Sequence, residues 1–505
     1  MSYLGIDVGT TGCKIIAFDE GGAVLAQAYR EYPLYYPQNG WIELDAEEVW
    51  GKILECLREV ARKVRHDPPV SLGISAQGEA VVPVDERGRA LARSIVTFDR
   101  RGDEFVPVFR EHMGEERFFS VTGMTLSGIG TVNKILWWKK YASEVFQKAR
   151  YFLCFEDFTL LKLGVPPAIS FPLASRTMMF DVQRGTWSEE ILGLSGIEPE
   201  RLACPHPSGT GVGEVAKTIR EELGLTQETV VATGGHDQPC GALGAGVIRS
   251  GLAMDATGTV ECIAPAIPHF VQGEAMWKNN LCCYHHTFPG LYVTLVYNFT
   301  GGVILRWFRD QFAGEEKERS RISGRDVYDL LLEDLPEGPT SLWVLPHFTM
   351  TGTPYLDAHS LGMIVGLTLN TTKKEFIKAL LEGVSFEMRL NLSLLEEAGI
   401  KVERLRAIGG GAKSPVWLKL KADVYGLPVE TLSVSEAACF GAALLGRKAR
   451  EDIKDLGSLV EELVKVKEVY EPDARRSEMY RERFRVYRRL YPALKECILK
   501  GGKEQ

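Results

Sequence analysis

The chain has 505 residues, of which 45% are hydrophobic and 25% are charged, which is enough for two domains with full cores. Its net charge of −8 and its lack of long basic runs argue against nucleic acid or an anionic membrane surface as a partner. No apolar run reaches the ~18 residues of a membrane span, the start shows no signal peptide, and the ten cysteines form no zinc or disulfide pattern. We therefore expect a cytoplasmic protein.

The chain opens with a strand, a tight turn and a second strand over residues 3–19, which we call the first hairpin. The turn glycine lets main-chain amides point inward, and the hydroxyls of Thr10 and Thr11 add donors. Lys14 brings a positive charge, so the turn suits a phosphate group. Asp7 is placed to hold a magnesium ion through water. An ordinary β-turn is the alternative for this segment taken alone.

The next segments alternate between strands and helices. A third strand is predicted from Ala23 to Tyr29, followed by an amphipathic helix from Asp45 to about His66, with Asp45 as its cap. Two prolines then end the helix, and a buried strand is predicted from Val70 to Ile74. This alternation is typical of α/β proteins.

The most informative stretch is Gly-Gly-His-Asp-Gln-Pro at 234–239, between a short buried strand at 229–233 and a small-residue helix at 240–246. Asp237 is predicted to lie on a glycine turn that holds its carboxylate rigidly beside the positive end of the helix dipole. We therefore predict that Asp237 is the catalytic residue. The alternative is that Asp237 only caps the helix. The small residues would let another backbone or a ligand approach closely.

A second hairpin repeats the sequence motif of the first about 250 residues later. Its turn is Asp-Ala-Thr-Gly-Thr at 255–259, within a predicted strand pair from 251 to 265. This repetition divides the chain near residues 247–251, into halves of residues 1–248 and 249–505. Each half begins with strands and continues with alternating strands and helices, which predicts mixed sheets covered by helices.

Beyond the second hairpin, a long amphipathic helix is predicted at about 374–398 and a charged terminal helix at about 474–500. Between them, Gly409–Gly411 follows a strand and precedes a helix that starts at Ser414-Pro415. We call these three glycines the glycine ledge, because a surface without side chains can support a purine base or a ribose. A tight connection before a helix is the alternative.

These motifs stand in the order found in FGGY carbohydrate kinases, within the actin-like ATPase superfamily, and the chain resembles that family over most of its length. They are the DVGTT hairpin, the GGHDQPCGALGAG stretch, the DATGT hairpin, the GGGAKSP ledge and the closing segment at 436–443. The resemblance implies two ribonuclease H-like lobes with mixed β-sheets flanked by helices and a cleft between them. Residues 1–248 would bind the sugar and supply the catalytic base, and residues 249–505 would bind the nucleotide and carry the terminal helix.

The resemblance also implies that ATP lies between the lobes, with its phosphates against both hairpins. Asp237 would take the proton from a sugar hydroxyl while that oxygen attacks the γ-phosphorus. Mg²⁺ would be held by Asp7 and near Asp237. The residues expected to contact the nucleotide are Thr10, Thr11, Lys14, Thr257, Gly258, Thr259, Gly410, Gly411, Ala412 and Ser414.

The acceptor pocket is implied by two further segments. Gln77 and Glu79 stand where xylulokinases have a Gln-Met-His run and glycerol kinases a Gln-Arg-Glu run. The segment Thr-Phe-Asp-Arg-Arg at 97–101 resembles a Trp-x-Asp-x-Arg segment that lines the acceptor site, with threonine in place of tryptophan. Acids and amides suit hydroxyl groups, while an ion pair between Glu79 and Arg101 is the alternative. The expected acceptor-binding residues are Gln77, Glu79, Asp99, Arg101, Asp237 and Gln238.

The sequence thus predicts an ATP-dependent kinase that phosphorylates a primary hydroxyl of a small ketose or sugar alcohol, xylulokinase-like but with the sugar unassigned. One alternative is an actin-like ATPase that drives a partner protein, although the kinase pattern uses nearly all 505 residues. Another is a non-catalytic sugar-binding regulator, which the joint presence of Asp7, Lys14 and Asp237 disfavours. A homo-oligomer is compatible with the sequence, which does not specify one.

Overall fold

A computed structural model describes residues 1–225 and 227–501 of the chain. Its described residues contain two large mixed β-sheets, one of six strands and one of eight, together with five small two-stranded sheets. The first large sheet ends at His236 and the second begins at Gly251. The predicted α/β architecture of two lobes with mixed sheets is confirmed, whereas the division between residues 248 and 249 stays a prediction.

The six-stranded sheet places the first hairpin next to the strand that leads to Asp237. From one edge to the other, its strands are Gly211–Glu214, Val230–His236, Pro69–Ala76, Ser2–Val8, Gly12–Phe18 and Val24–Glu31. The three central strands are parallel, so their carboxyl ends meet at one edge. The remaining strands of this half are Glu43–Leu44, Val82–Val84, Ser94–Ile95, Tyr151–Leu153, Ala168–Ser170, Phe180–Asp181, Thr186–Trp187 and Cys204–His206.

The eight-stranded sheet repeats this arrangement around the second hairpin. Gly251–Thr257 pairs antiparallel with Glu261–Ile267 and parallel with Val402–Gly409, which in turn pairs parallel with Val429–Leu432. The sheet is completed by Tyr284–His285, Tyr292–Val293, Val296–Asn298 and Val466–Tyr470, while Trp343–Leu345 and Met363–Val365 form a separate pair. The internal repetition seen in the sequence is therefore a repetition of sheet topology.

Helices cover both sheets. In the first half they are Ala46–Lys63, Val106–Thr122, Thr131–Tyr141, Ser143–Lys148, Phe155–Lys162, Phe171–Arg176, Glu189–Ser195, Lys217–Leu223 and Asp237–Gly244. In the second half they are Glu274–Lys278, Val303–Phe312, Gly314–Ser323, Val327–Leu332, Lys373–Glu397, Pro415–Tyr425, Ala437–Glu451, Leu456–Leu463 and Ala474–Gly501. None of the helices within the described residues has the length and apolarity needed to cross a bilayer.

One helix of the second half, Ala437–Glu451, packs on the sheet of the first half. A Cβ atom at Gly5 would overlap the carbonyl oxygen of Cys439, and a Cβ atom at Gly73 would overlap that of Ala442. Glycine is therefore required at both strand positions for this close approach. Helix Ala437–Glu451 also contacts Gly244 of helix Asp237–Gly244. Of the two predicted possibilities, another backbone or a ligand, it is therefore another backbone that approaches this helix closely at Gly244.

Several predicted boundaries are confirmed by capping contacts. The Asp45 side chain accepts hydrogen bonds from the amides of Glu47 and Glu48, so it is the N-cap of helix Ala46–Lys63. Ser414 likewise accepts from the amide of Trp417 at 3.3 Å, with proline at the first helical position. These short polar side chains define where the helices begin.

Candidate active site

Asp237 is the first residue of helix Asp237–Gly244 and follows directly on strand Val230–His236. The prediction of a glycine turn before it was wrong, because Gly234 and Gly235 continue the strand. The buried Glu156 side chain accepts a hydrogen bond from the Gly234 amide at 2.7 Å and so holds the end of this strand. The strand therefore delivers Asp237 straight to the edge of the first sheet.

The Asp237 carboxyl is partly buried, with 32% of its side chain exposed. Burial raises the pKa of Asp237 to about 7, and the negative charges of Asp7 and Glu79 act in the same direction. Its Oδ1 atom is buried and has no aligned hydrogen-bond partner among the described residues, although His236 Nε2 lies 3.2 Å away. Burial also lowers the pKa of His236 well below its usual range, so this neighbour is a neutral imidazole.

Asp7 is the penultimate residue of strand Ser2–Val8, directly opposite Lys14 on the partner strand of the first hairpin. The Ser75 hydroxyl donates to Asp7 Oδ1 at 2.7 Å. Burial raises the pKa of Asp7, while the Ser75 hydrogen bond and the Lys14 charge oppose that shift. Lys14 Nζ lies 2.8 Å from Glu436 Oε2, which comes from the second half of the chain. The first hairpin is thus tied to the other lobe by its own lysine.

Gln77 supports the turn of the first hairpin. Its amide nitrogen donates to the carbonyl oxygen of Gly9 at 3.0 Å, and its amide oxygen accepts from the Thr10 hydroxyl at 3.2 Å. Both ends of this side chain are therefore engaged with the predicted phosphate-binding turn. Thr11 is exposed on the same turn. The role of Gln77 in binding the acceptor stays a prediction, while its contacts assign it to the hairpin.

The second hairpin is held from behind by a buried lysine. Lys421 Nζ donates to Asp255 Oδ2 at 2.9 Å and to the Thr257 hydroxyl at 2.6 Å, and it also contacts Glu261. Thr257 donates in turn to Glu261 Oε1 at 2.9 Å. The Thr257 hydroxyl is therefore committed to this cluster. Only its main chain is available for a phosphate.

A cavity of about 570 Å³ opens beside the second hairpin and the glycine ledge. Of the predicted nucleotide residues, it is lined by Thr257, Gly258, Thr259, Gly410, Gly411 and Ser414. Ala412 does not line it, because its methyl group packs against the hydrophobic core of the second half. A single cavity thus joins the hairpin to the ledge in the way that the resemblance implied.

Sequence reasoning missed a third wall of this cavity. It comes from Gly302, Arg306 and Tyr328, near the starts of helices Val303–Phe312 and Val327–Leu332. Arg306 is exposed and forms no ion pair within the described part of the chain. The Gly-Gly pair before the first of these helices has the same pattern as the ledge and could have identified this wall.

Glu79 is buried and forms an ion pair with Arg176. The alternative pairing of Glu79 with Arg101 was wrong, because Arg101 pairs with Asp99 at 2.8 Å and with Glu43 at 2.9 Å. Thr97, which stands where the resemblance expects tryptophan, donates to Glu79 Oε2 at 3.0 Å.

Asp99 has little capacity left for a sugar. Its Oδ1 accepts from the main-chain amide and the Nε of Arg101, both at 2.9 Å, and its Oδ2 accepts from the Ile42 amide at 2.7 Å. The Arg101 guanidinium lies 3.8 Å from the ring centroid of Trp41 and 4.8 Å from that of Trp137. Asp99 therefore positions Arg101 between two indoles, and any acceptor role of Asp99 stays a prediction.

The acidic residues present fit a magnesium ion completed by a substrate. No group of three or more His, Cys, Asp and Glu side chains within residues 1–225 and 227–501 could hold a metal by itself. Asp7 and Asp237, however, repel each other electrostatically, and each has a raised pKa. Mg²⁺ is usually held by one or two carboxylates together with phosphate oxygens and water, so this pair is a suitable donor set.

Two models of one protein family match the chain, one in each half. The family model "FGGY family of carbohydrate kinases, N-terminal domain" matches residues 2–244, and the corresponding C-terminal domain model matches residues 277–450. Both hairpins, Asp237 and the glycine ledge lie in or between these two ranges.

Two enzymes of Bacillus subtilis (strain 168) are similar to almost the same degree. The chain is 27% identical to its xylulose kinase over 98% of each chain, and 28% identical to its gluconokinase over 88% of this chain and 86% of that one. Among solved structures, xylulose kinase from Rhodospirillum rubrum superposes with a TM-score of 0.87 at 26% identity, over 99% of this chain and 100% of the other. Because the two identities are nearly equal, they do not indicate whether the acceptor of this chain resembles that of the xylulose kinase or that of the gluconokinase.

Proposed function

The chain belongs to the FGGY family of carbohydrate kinases, and from this we propose that it transfers the γ-phosphate of ATP to a primary hydroxyl of a small ketose or sugar alcohol, with Asp237 as general base. ATP-dependent phosphorylation of a sugar is the activity of the family and of the xylulose kinase and gluconokinase relatives. The acceptor and the residue roles are our proposal.

The position of Asp237 is the observation that carries this proposal. The carboxylate stands at the N-terminus of a helix, next to Asp7 of the first hairpin, and that helix packs against the second hairpin. A Cβ atom at Gly241 of the same helix would lie 3.1 Å from Met254 Sδ in the second hairpin. These contacts of its helix with both hairpins support Asp237 as the acid near which an acceptor hydroxyl would meet the γ-phosphorus.

In the proposed reaction, the acceptor oxygen forms a bond to the γ-phosphorus while the bond from that phosphorus to the β,γ-bridging oxygen breaks and ADP leaves. The hydroxyl proton passes to Asp237. Because the transition state is loose, the base mainly orients the hydroxyl and accepts its proton late, so position matters more than base strength. Packing the cleft residues around the reacting atoms would keep water from competing with the sugar.

Charge around the phosphates would be balanced by Lys14, by the main-chain amides of both hairpins and by a magnesium ion held between Asp7 and Asp237. When bound, Mg²⁺ would offset the negative charge that spreads over the phosphoryl oxygens. Thr11 and Thr259 would donate to phosphate oxygens from exposed positions on the two turns, and Thr10 would do so once its hydroxyl leaves Gln77. The glycine ledge and Ser414 would support the adenosine, with Gly302 and Arg306 as additional contacts.

The test of this proposal is Asp237→Asn, which keeps the size of the side chain but removes the base. We expect turnover with the best acceptor to fall at least ~10²-fold, while the affinity for ATP measured by calorimetry stays within a few-fold. In the wild type, kcat/KM should rise with pH through about 7, because the base must lose its proton to act. Unchanged turnover in Asp237→Asn would remove this residue from its role.

The acceptor is identified by coupled ADP release over ketoses, polyols and aldonates of three to six carbons. Phosphorylation of a ketose or polyol at a primary hydroxyl, located by NMR of the product, supports the proposal. ATP hydrolysis of equal rate with and without every sugar would instead favour an actin-like ATPase, and sugar binding without turnover would favour a non-catalytic regulator.

A further inference from the structure

Arg176 is a buried cation beside the proposed reaction site that the mechanism above does not use. It ends helix Phe171–Arg176 and is 9% exposed, and it forms an ion pair with Glu79, which is 1% exposed. Glu79 adopts a left-handed backbone conformation with φ of 59°, which is costly for a residue with a side chain. The loop is held in this state, since the Glu79 carbonyl oxygen accepts from Thr131 at 3.1 Å and from Lys134 at 2.8 Å.

A short series of contacts leads from Arg176 to the base. The Arg176 guanidinium carbon lies 5.5 Å from the ring centroid of Tyr284. The Tyr284 hydroxyl is 2.9 Å from Nδ1 of His236, and Nε2 of His236 is 3.2 Å from Oδ1 of Asp237. Arg176 is therefore linked through Tyr284 and His236 to the carboxylate that would take the acceptor proton.

The donors of Arg176 are incompletely satisfied. Within the described part of the chain its Nε has no hydrogen-bond partner, and its Nη1 meets only the sulfur atoms of Met124 at 3.9 Å and Cys282 at 4.0 Å. Sulfur is a weak acceptor, and buried N–H groups without oxygen partners are costly. An oxygen-rich ligand at this place would supply the missing acceptors.

The charges around Arg176 restrict which ligand can do so. Glu79 already compensates its positive charge, and Asp237, on which the charges of Glu79 and Asp7 both act, adds a further carboxylate nearby. The nearby Lys134 is fully buried behind Glu79 and donates to its main-chain oxygen, while Lys14 is paired with Glu436. A ligand carboxylate beside Arg176 would therefore meet the charge of Glu79, while Lys134 and Lys14 are already engaged and a magnesium ion on Asp7 and Asp237 would be shared with the phosphates.

We propose that Arg176 is an acceptor-binding residue which donates to a carbonyl or hydroxyl oxygen of the sugar, and that its pairing with Glu79 makes the site select uncharged polyhydroxy acceptors over sugar acids. This inference rests on the proposed kinase function. It separates the two kinds of acceptor that the relatives' names leave equally supported, a ketose and an aldonate.

The experiment compares acceptors that differ only in a terminal carboxylate: glucitol with gluconate, xylitol with xylonate, and erythritol with erythronate. For the carbon length that is used best, we expect kcat/KM of the wild type to favour the uncharged member by at least ~10-fold, as repulsion between like charges in a partly buried site implies. Preference for the acid overturns this inference and leaves the kinase function intact. Absence of sugar-dependent turnover with all of these acceptors and with every ketose of three to six carbons overturns both.

Two variants test the residues themselves. Glu79→Gln removes the compensating charge, and we expect the preference for the uncharged acceptor to fall several-fold or to reverse. Arg176→Met keeps the length of the side chain without its donors, and we expect a KM for the acceptor at least ~10-fold higher with an unchanged KM for ATP. The double variant Glu79→Gln/Arg176→Met leaves no unpaired buried charge and serves as the folding control. An unchanged acid-to-neutral ratio in folded Glu79→Gln, or an unchanged acceptor KM without Arg176, overturns the assignment.

Discussion

The two hairpins carry nearly the same sequence and occupy the same place in their sheets, yet their acids have different surroundings. In each hairpin the first strand pairs antiparallel with the second and parallel with a strand from later in the chain. Each turn is closed by a main-chain hydrogen bond from a glycine amide, Gly9 to Gly12 at 3.0 Å and Gly258 to Val260 at 2.9 Å. The backbone geometry of the two turns, which we propose presents main-chain amides to a phosphate, is therefore similar.

The difference lies in where the lysine comes from. In the first hairpin Lys14 stands on the neighbouring strand, its side chain is 32% exposed, and its partner Glu436 is 34% exposed. In the second hairpin Lys421 comes from helix Pro415–Tyr425 and is fully buried with Asp255 and Glu261. Burial raises the pKa of Glu261 well above its usual range in spite of Lys421. The charges of the first hairpin are thus partly exposed, whereas those of the second are buried and hold its strands to helix Pro415–Tyr425.

The largest effect is expected when the buried lysine is removed. Lys421→Met would leave Asp255 and Glu261 buried without their cation, and breaking such a pair costs about 3–5 kcal/mol of the free energy of unfolding. Lys14→Met is the matched control, because its partly exposed pair contributes about 1 kcal/mol or less. Urea denaturation measures both variants. Equal destabilisation by the two substitutions would show that the hairpins do not differ in this way.

Replacing the acid of each hairpin by asparagine should have the opposite pattern for activity: the first hairpin, not the second, is expected to show the loss. Asp7→Asn removes a proposed magnesium ligand, and we expect turnover to fall ~10²-fold, about 2.7 kcal/mol in the barrier, with a higher requirement for free Mg²⁺. Asp255→Asn should lower stability instead, while the folded protein keeps turnover within a few-fold of the wild type. Steady-state kinetics over a magnesium titration measure both. Equal losses of turnover would contradict the assignment of a magnesium-binding role to Asp7 and a structural role to Asp255.

Much of this arrangement could be predicted from the sequence, because its signals are local. Glycine-threonine turns, the capping residues Asp45 and Ser414 and the glycine ledge each depend on a few adjacent residues. The order of these motifs along the chain indicated the resemblance to a family, and the fold was then predicted from that family. Asp237 could be singled out for the same reason, although the glycines before it belong to a strand and not to a turn.

The side chains that complete the site could not be predicted, because they come from segments without any local motif. Arg176 ends a six-residue helix, Tyr284 lies in a two-residue strand, and Lys421 is one of three charged residues in helix Pro415–Tyr425. Each is defined by a buried partner far away in sequence, such as Glu79 for Arg176 and Asp255 for Lys421. Pairing of this kind is a property of the tertiary packing, which neither periodicity nor spacing reveals.

The smallest of these effects concerns the two threonines of the second hairpin. Thr259 is exposed on the turn beside the cavity, so Thr259→Val should remove one hydrogen bond to a phosphate and raise the KM for ATP about 5-fold, or about 1 kcal/mol. Thr257 is bonded to Lys421 and Glu261, so Thr257→Val should leave KM nearly unchanged and lower stability by about 1–3 kcal/mol. ATP titrations together with thermal unfolding separate the two. A larger rise in KM from Thr257→Val than from Thr259→Val would mean that the buried hydroxyl leaves Lys421 when the nucleotide binds.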